Sequence, residues 1–74
     1  MAKGGQHVVP GPRGWSVKKT GSVRASSTHS TQEEAIAAAV KIARNQKTVL
    51  YIHDRDGRIR ERNSYMGDIH PAIG

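Results

Sequence analysis

The sequence predicts an α+β domain with element order βββαββ, an antiparallel sheet and one helix packed on one face. Three observations point there. Residues 5–27 break into short β-rich runs separated by Pro and Gly. Residues 30–47 carry the chain's strong helical periodicity. Asp56-Gly57 sits between two further runs of strand character.

The elements follow in order. "HVV" is apolar and β-branched, and "PGPRG" ends it. In "WSVKK", Trp15 and Val17 alternate with Ser16 and Lys18, the period of a half-buried strand. "TGS" is a turn signal. "VRASS" reads as a third short strand, with Val23 and Ala25 inward and Arg24 and Ser26 outward. A helix begins at Thr31, with Glu34 at capping-box spacing; Ser30 with Glu33 fits the same pattern one residue earlier. Glu33 and Glu34 open the helix and Lys41, Arg44 and Lys47 close it, as the helix dipole favours. Ala35, Ile36, Ala39, Val40, Ile42 and Ala43 form one apolar face. Its many alanines suit close approach to a flat sheet.

"TVLYIHD" is strand-like in content, and "RIRERNSY" follows the Asp-Gly. A two-residue loop at Asp56-Gly57 pairs Ile59 with Asp54, Arg60 with His53 and Arg62 with Tyr51. That register puts Ile59 with Leu50 and Ile52 under the helix and groups Tyr51, His53, Arg60 and Arg62 on the outer face. Its cost is the opposition of Arg55 to Arg58. A three-residue loop, Arg55-Asp56-Gly57, opposes Asp54 to Arg58 instead. The grouping of three aliphatics favours the first. The expected organisation is a flexible N-terminus over 1–6, one domain over 7–65, and an extended or partly disordered tail over 66–74.

The chain of 74 residues is long enough for one domain with a small core. Apolar material is thin: one Trp, two Tyr, no Phe and a single leucine, Leu50. Trp15 is expected in that core or in the core of a dimer interface, the other option being an exposed partner-binding patch. Without cysteine, disulfides and thiolate zinc sites are excluded, and self-association is the remaining common means of stabilising so small a domain. No apolar run approaches the roughly 20 residues of a membrane helix. The expectation is a cytoplasmic protein with no membrane partner.

Twelve Lys and Arg against six Asp and Glu give a net charge of +6. The excess is uneven. Residues 1–32 carry +5, residues 33–53 carry +1, and residues 54–74 are balanced. The arginine-rich segment "DRDGRIRERNSY" therefore sits in an electrically balanced stretch, its four arginines largely offset by acids, and the positive field belongs to the N-terminal half.

The pattern "HVVP…GWSVKKTGSVRASSTHSTQEEAIAAAVKIA…IHDRDGRIRERNSY…GD…P…G", which runs from His7 to Gly74, resembles the small bacterial family known as domain of unknown function 2188. Its most specific pieces are Trp15-x-Val17-Lys18, Arg24-Ala25, Thr31-x-x-x-Ala35, Asp56-Gly57-Arg58 and Asn63-Ser64-Tyr65. The resemblance implies a compact α+β unit and brings no catalytic or binding residues with it.

The residues themselves suggest a surface. Cations beside aromatic rings suit nucleic acid, because cations neutralise phosphate and rings stack on bases. Tyr51, His53, Arg60 and Arg62 supply one such group, joined by Arg13, Lys18, Lys19 and Arg24 from the basic half. The competing reading is an ordinary solvated sheet face. His7, His29, His53 and His70 have no metal-ligand spacing, "DRDG" lacks the ligands of a calcium loop, and "GPRG" lacks the end of a phosphate loop. Ser26, Ser27 and Thr28 near His29 have nothing to orient that histidine. Catalysis needs a water-excluding pocket that so small a core hardly provides. The expectation is a non-enzymatic module without cofactor, metal or small-molecule substrate, its partner nucleic acid or alternatively another protein or a second copy.

Overall fold

The computed structural model describes residues 5–65. Most of the expected flexible N-terminus and the tail over 66–74 lie outside the described residues. Strands β1 (Gln6–Gly11), β2 (Gly14–Lys19) and β3 (Ala25–His29) precede helix α1 (Gln32–Gln46), which is followed by β4 (Val49–His53) and β5 (Ile59–Ser64). The fold is α+β with the expected element order.

The sheet is mixed rather than antiparallel. Its spatial order is β3-β2-β1-β4-β5, and the central pair β1–β4 is parallel. Chain direction explains this. Strands β1 to β3 alternate in direction by hairpin pairing, so β3 runs with β1. The helix carries the chain back, and β4 sets off in the direction of β3. Docking on the free edge of β1 therefore makes β4 parallel to it.

Helix α1 closes the core. Thr31 caps its N-terminus, its Oγ1 accepting from the Glu34 N–H at 3.1 Å. Lys47 ends it in the left-handed region at φ 53°, while Thr48 N–H donates to the Ala43 carbonyl and Lys47 N–H to the Arg44 carbonyl. Those two bonds form a Schellman closure, normally built on glycine. Ala35, Ala39 and Ala43, one turn apart, are fully buried and let the helix settle closely on Val8, Trp15, Val17, Leu50 and Ile52. Trp15 is thus a core residue, as expected. Burying each such Val or Leu contributes about 1.5–3 kcal/mol. Gln6 is also buried on this face, at the C-terminal end of the helix, where its Nε2 donates to Gln46 Oε1.

Two further expectations are corrected. The third strand starts at Ala25, and Val23 is 89% exposed rather than inward. Ser22 is the cause: its N–H donates to the Lys19 carbonyl, and its hydroxyl bonds both the N–H and the carbonyl of Arg24. Backbone groups satisfied locally are withdrawn from the sheet. Ala25, too, is exposed.

The second correction concerns the β4–β5 hairpin, which uses the three-residue loop. Asp54 N–H donates to the Arg58 carbonyl and Gly57 N–H to the Asp54 carbonyl, both at 2.9 Å. The Asp54 carboxylate accepts from the N–H groups of Asp56 and Arg58. Gly57 supplies the positive φ, 87°, that this turn requires. His53 then pairs with Ile59, and a bulge lets Ile52 pair with Glu61 and Tyr51 with Arg62. Arg60 is the extra residue. Ile59 consequently lies on the helix-free side and is 56% exposed, not beneath the helix.

Candidate functional site

Pairing register sorts the strand residues into two faces, since directly opposed residues point the same way. The helix-free face carries His7, Val9, Ser16, Lys18, Thr28, Tyr51, His53, Ile59 and Arg62 as its main strand positions. Four of them form one line across the sheet. Lys18 opposes His7, His7 opposes Tyr51, and Tyr51 opposes Arg62. With about 4.8 Å between strands, the Lys18 and Arg62 backbones stand roughly 14 Å apart. Among the described residues no strand position on this face is an Asp or Glu; Glu61 opposes Ile52 on the helix side.

The centre of the line is ordered by ring packing. His7 and Tyr51 stack with centroids 4.8 Å apart and 19° between planes. This spacing equals the distance between strands, so the two rings stand side by side and turn their edges outward. His53 follows on β4, its Nε2 3.0 Å from His7 Nδ1 and its Nδ1 3.0 Å from the Gly57 carbonyl. His7 Nε2 lies 2.8 Å from Thr20 Oγ1, which also reaches the Gly5 carbonyl. Partial burial, and secondly the charge of His53, push the pKa of His7 below its usual value.

The fold separates the other residues singled out in the sequence. Arg13 occupies the exposed β1–β2 turn, at the opposite end of β2 from Lys18. Lys19 opposes Gln6 and so belongs to the helix side. Arg24 is exposed just ahead of Ala25, which opposes Lys18. Arg60, bulged out of the ladder, donates from Nη1 to Gln32 Oε1 at 2.8 Å, and Gln32 Nε2 donates to the His53 carbonyl. The outer face thus keeps Lys18, Tyr51, His53 and Arg62, loses Arg60 and gains His7. Sequence reasoning missed His7 because its partners arrive through the parallel β1–β4 pairing, 46 residues away in the case of His53.

An open cleft of about 510 Å³ lies between the start of α1 and the β4–β5 turn, beside Trp15. Arg55 and Arg60 share its lining with Glu33, Asp54 and Asp56, so its charges are mixed. No helix among the described residues is long and apolar enough to cross a membrane. The described residues hold no group of three or more His, Cys, Asp or Glu placed to bind a metal.

Comparison with known proteins places the chain. A curated relative, the uncharacterized protein YdaT of Bacillus subtilis, is 35% identical over 57 residues. That alignment covers 77% of this chain but 38% of the relative, so the chain spans well under half of that protein. No solved structure matches. Residues 6–65, from the first residue of β1 to the residue after β5, match a family described as an uncharacterized protein conserved in bacteria. The chain belongs to that family, DUF2188.

Proposed function

We propose that the protein is a small non-enzymatic module that binds nucleic acid through its helix-free sheet face. The observation that carries this is the line Lys18–His7–Tyr51–Arg62 on a face whose described strand positions bear no carboxylate. A cation at each end neutralises phosphate, and an unopposed positive face concentrates a polyanion by its field. The His7 and Tyr51 ring faces cover each other, which favours backbone and edge contacts over flat stacking on bases. Phosphate contacts position a protein without reading sequence, so binding is weakly sequence-specific.

Titration with duplex and single-stranded DNA and RNA at low and high salt tests the proposal. Binding should occur at low salt with little sequence preference, and log K should fall linearly with log salt. No binding at low salt would refute it.

A second reading is self-association or capture of a protein strand along β5. It rests on the exposure of Ile59 and on β5 being the outermost strand of the sheet among the described residues. Strand addition would persist in high salt and appear as concentration-dependent mass in light scattering. A strict monomer over a wide concentration range removes the self-association form of this reading. Charged Arg60, Glu61 and Arg62 along that edge weigh against it, because charged edges discourage pairing.

A further inference from the structure

We infer that His7 and His53 form a one-proton wire, which takes up a single proton between them, refuses a second, and so adds one positive charge rather than two to the helix-free face. The partners at its ends dictate this. His53 Nδ1 faces the Gly57 carbonyl, which only accepts, so that nitrogen carries a hydrogen in every state. At the other end His7 Nε2 faces the Thr20 hydroxyl, which donates or accepts. Between them the two inner nitrogens are 3.0 Å apart while the ring centroids are 5.2 Å apart. The nitrogens therefore point at each other nearly head on, and one hydrogen must lie between them. Two lone pairs aimed at each other do not converge on a metal ion.

Both charge states satisfy every partner. In the neutral state Thr20 O–H donates to His7 Nε2, His7 Nδ1–H donates to His53 Nε2, and His53 Nδ1–H donates to Gly57. Adding one proton reverses the first two bonds. His53 then carries both hydrogens and donates from Nε2 to His7 Nδ1, and His7 Nε2–H donates to Thr20 Oγ1. The Thr20 O–H turns to the Gly5 carbonyl, 3.1 Å away. A second proton would set N–H against N–H and break the central bond.

The surroundings oppose that second charge. Lys18 faces the pair from β2 and Arg62 stands beyond Tyr51 on β5. The β4–β5 turn adds Arg55, Asp56 and Arg58, all exposed, while the Asp54 carboxylate is held by the N–H groups of Asp56 and Arg58. Tyr51 lies against His7, and α1 is on the other side of the sheet. Burial, and secondly His53, disfavour a charge on His7. The wire stands on the hydrogen-bond geometry alone. Its use as a charge control rests on the nucleic-acid reading.

Site-resolved imidazole nitrogen NMR of the intact protein, titrated across the histidine range of about pH 5 to 8, counts the protons. His29, which contacts Ser27, provides an internal comparison. The expected result is one proton for the His7–His53 pair, with His7 keeping a neutral ring. Uptake of two protons, or none, overturns the wire. The salt slope for a single-stranded oligonucleotide is measured in parallel at both ends of the range. It should steepen by about 0.7 at the acid end, the increment for one added charge. His53→Gln should abolish that increment; its persistence would overturn the assignment. One proton on the pair with no oligonucleotide bound at any pH supports the wire and removes the nucleic-acid reading.

Discussion

The assignment of the binding face leads to a comparison of two double variants with identical charge change. Lys18→Ala with Arg62→Ala removes two positive charges from the helix-free face. Lys19→Ala with Arg60→Ala removes two from the helix side, where Lys19 opposes Gln6 and Arg60 bonds Gln32. Net charge is the same in both, so any difference reports position. For a single strand each phosphate contact contributes about 0.7 to the salt slope, so losing two contacts should flatten it by about 1.4. Over a fourfold change in salt, that is about a sevenfold smaller loss of affinity than wild type suffers; for duplex, at about 0.9 per contact, it is about twelvefold. Fluorescence anisotropy with a labelled oligonucleotide at several salt concentrations measures the slope. The Lys19/Arg60 pair should leave it nearly unchanged. Equal slopes for both doubles would refute the face assignment and leave only a diffuse attraction by net charge. Circular dichroism checks that both doubles remain folded.

Other predictions concern the fold and its titration. Leu50→Ala should cost about 2–5 kcal/mol, enough to unfold much of a domain this small, because Leu50 is fully buried. Ile59→Ala should cost well under 1 kcal/mol because Ile59 is 56% exposed; a cost like that of Leu50 in urea unfolding would restore the two-residue hairpin register. Lys47→Gly should relieve the left-handed strain at φ 53° and stabilise by about 0.5–1 kcal/mol, or a few degrees in Tm; a lower Tm would contradict the helix closure described. Gly57→Ala places a side chain at φ 87° and should cost about 1 kcal/mol even though the site is spatially open. Finally, the fold holds the pKa of His7 below 6.5, so the unfolded chain binds its proton first as pH falls. This contribution is present above about pH 6.5 and is lost as pH drops through the depressed folded value. Tm should therefore fall on acidification, and less so in His7→Gln; an unchanged pH dependence in that variant would rule out His7 as the source.

The amino-acid sequence was most informative wherever the physics is local. Thr31 and Glu34 mark the start of α1 through a hydrogen bond between near neighbours, and the apolar spacing of Ala35, Ala39 and Ala43 picks its buried face. Alternation in "WSVKK" sends Trp15 and Val17 to the core and Lys18 outward. Asp56-Gly57 announces a turn because few residues other than glycine accept positive φ. These features need no knowledge of distant chain. Hairpin register was less legible, since two loops with the same Asp-Gly differ by one residue. The choice fell to the Asp54 carboxylate, which locks the longer loop by bonding two backbone N–H groups. Once it was made, Ile59 and Arg60 exchanged sides. The β1–β4 contact was beyond local pattern altogether. It follows from strand order and from the direction in which α1 returns the chain, and it alone brings His7 beside Tyr51 and His53. The sequence thus determined the elements, the helix N-cap and most of the core. Tertiary structure decided which charges share a face, because a surface assembled from four strands is set by long-range register, and no local periodicity encodes that.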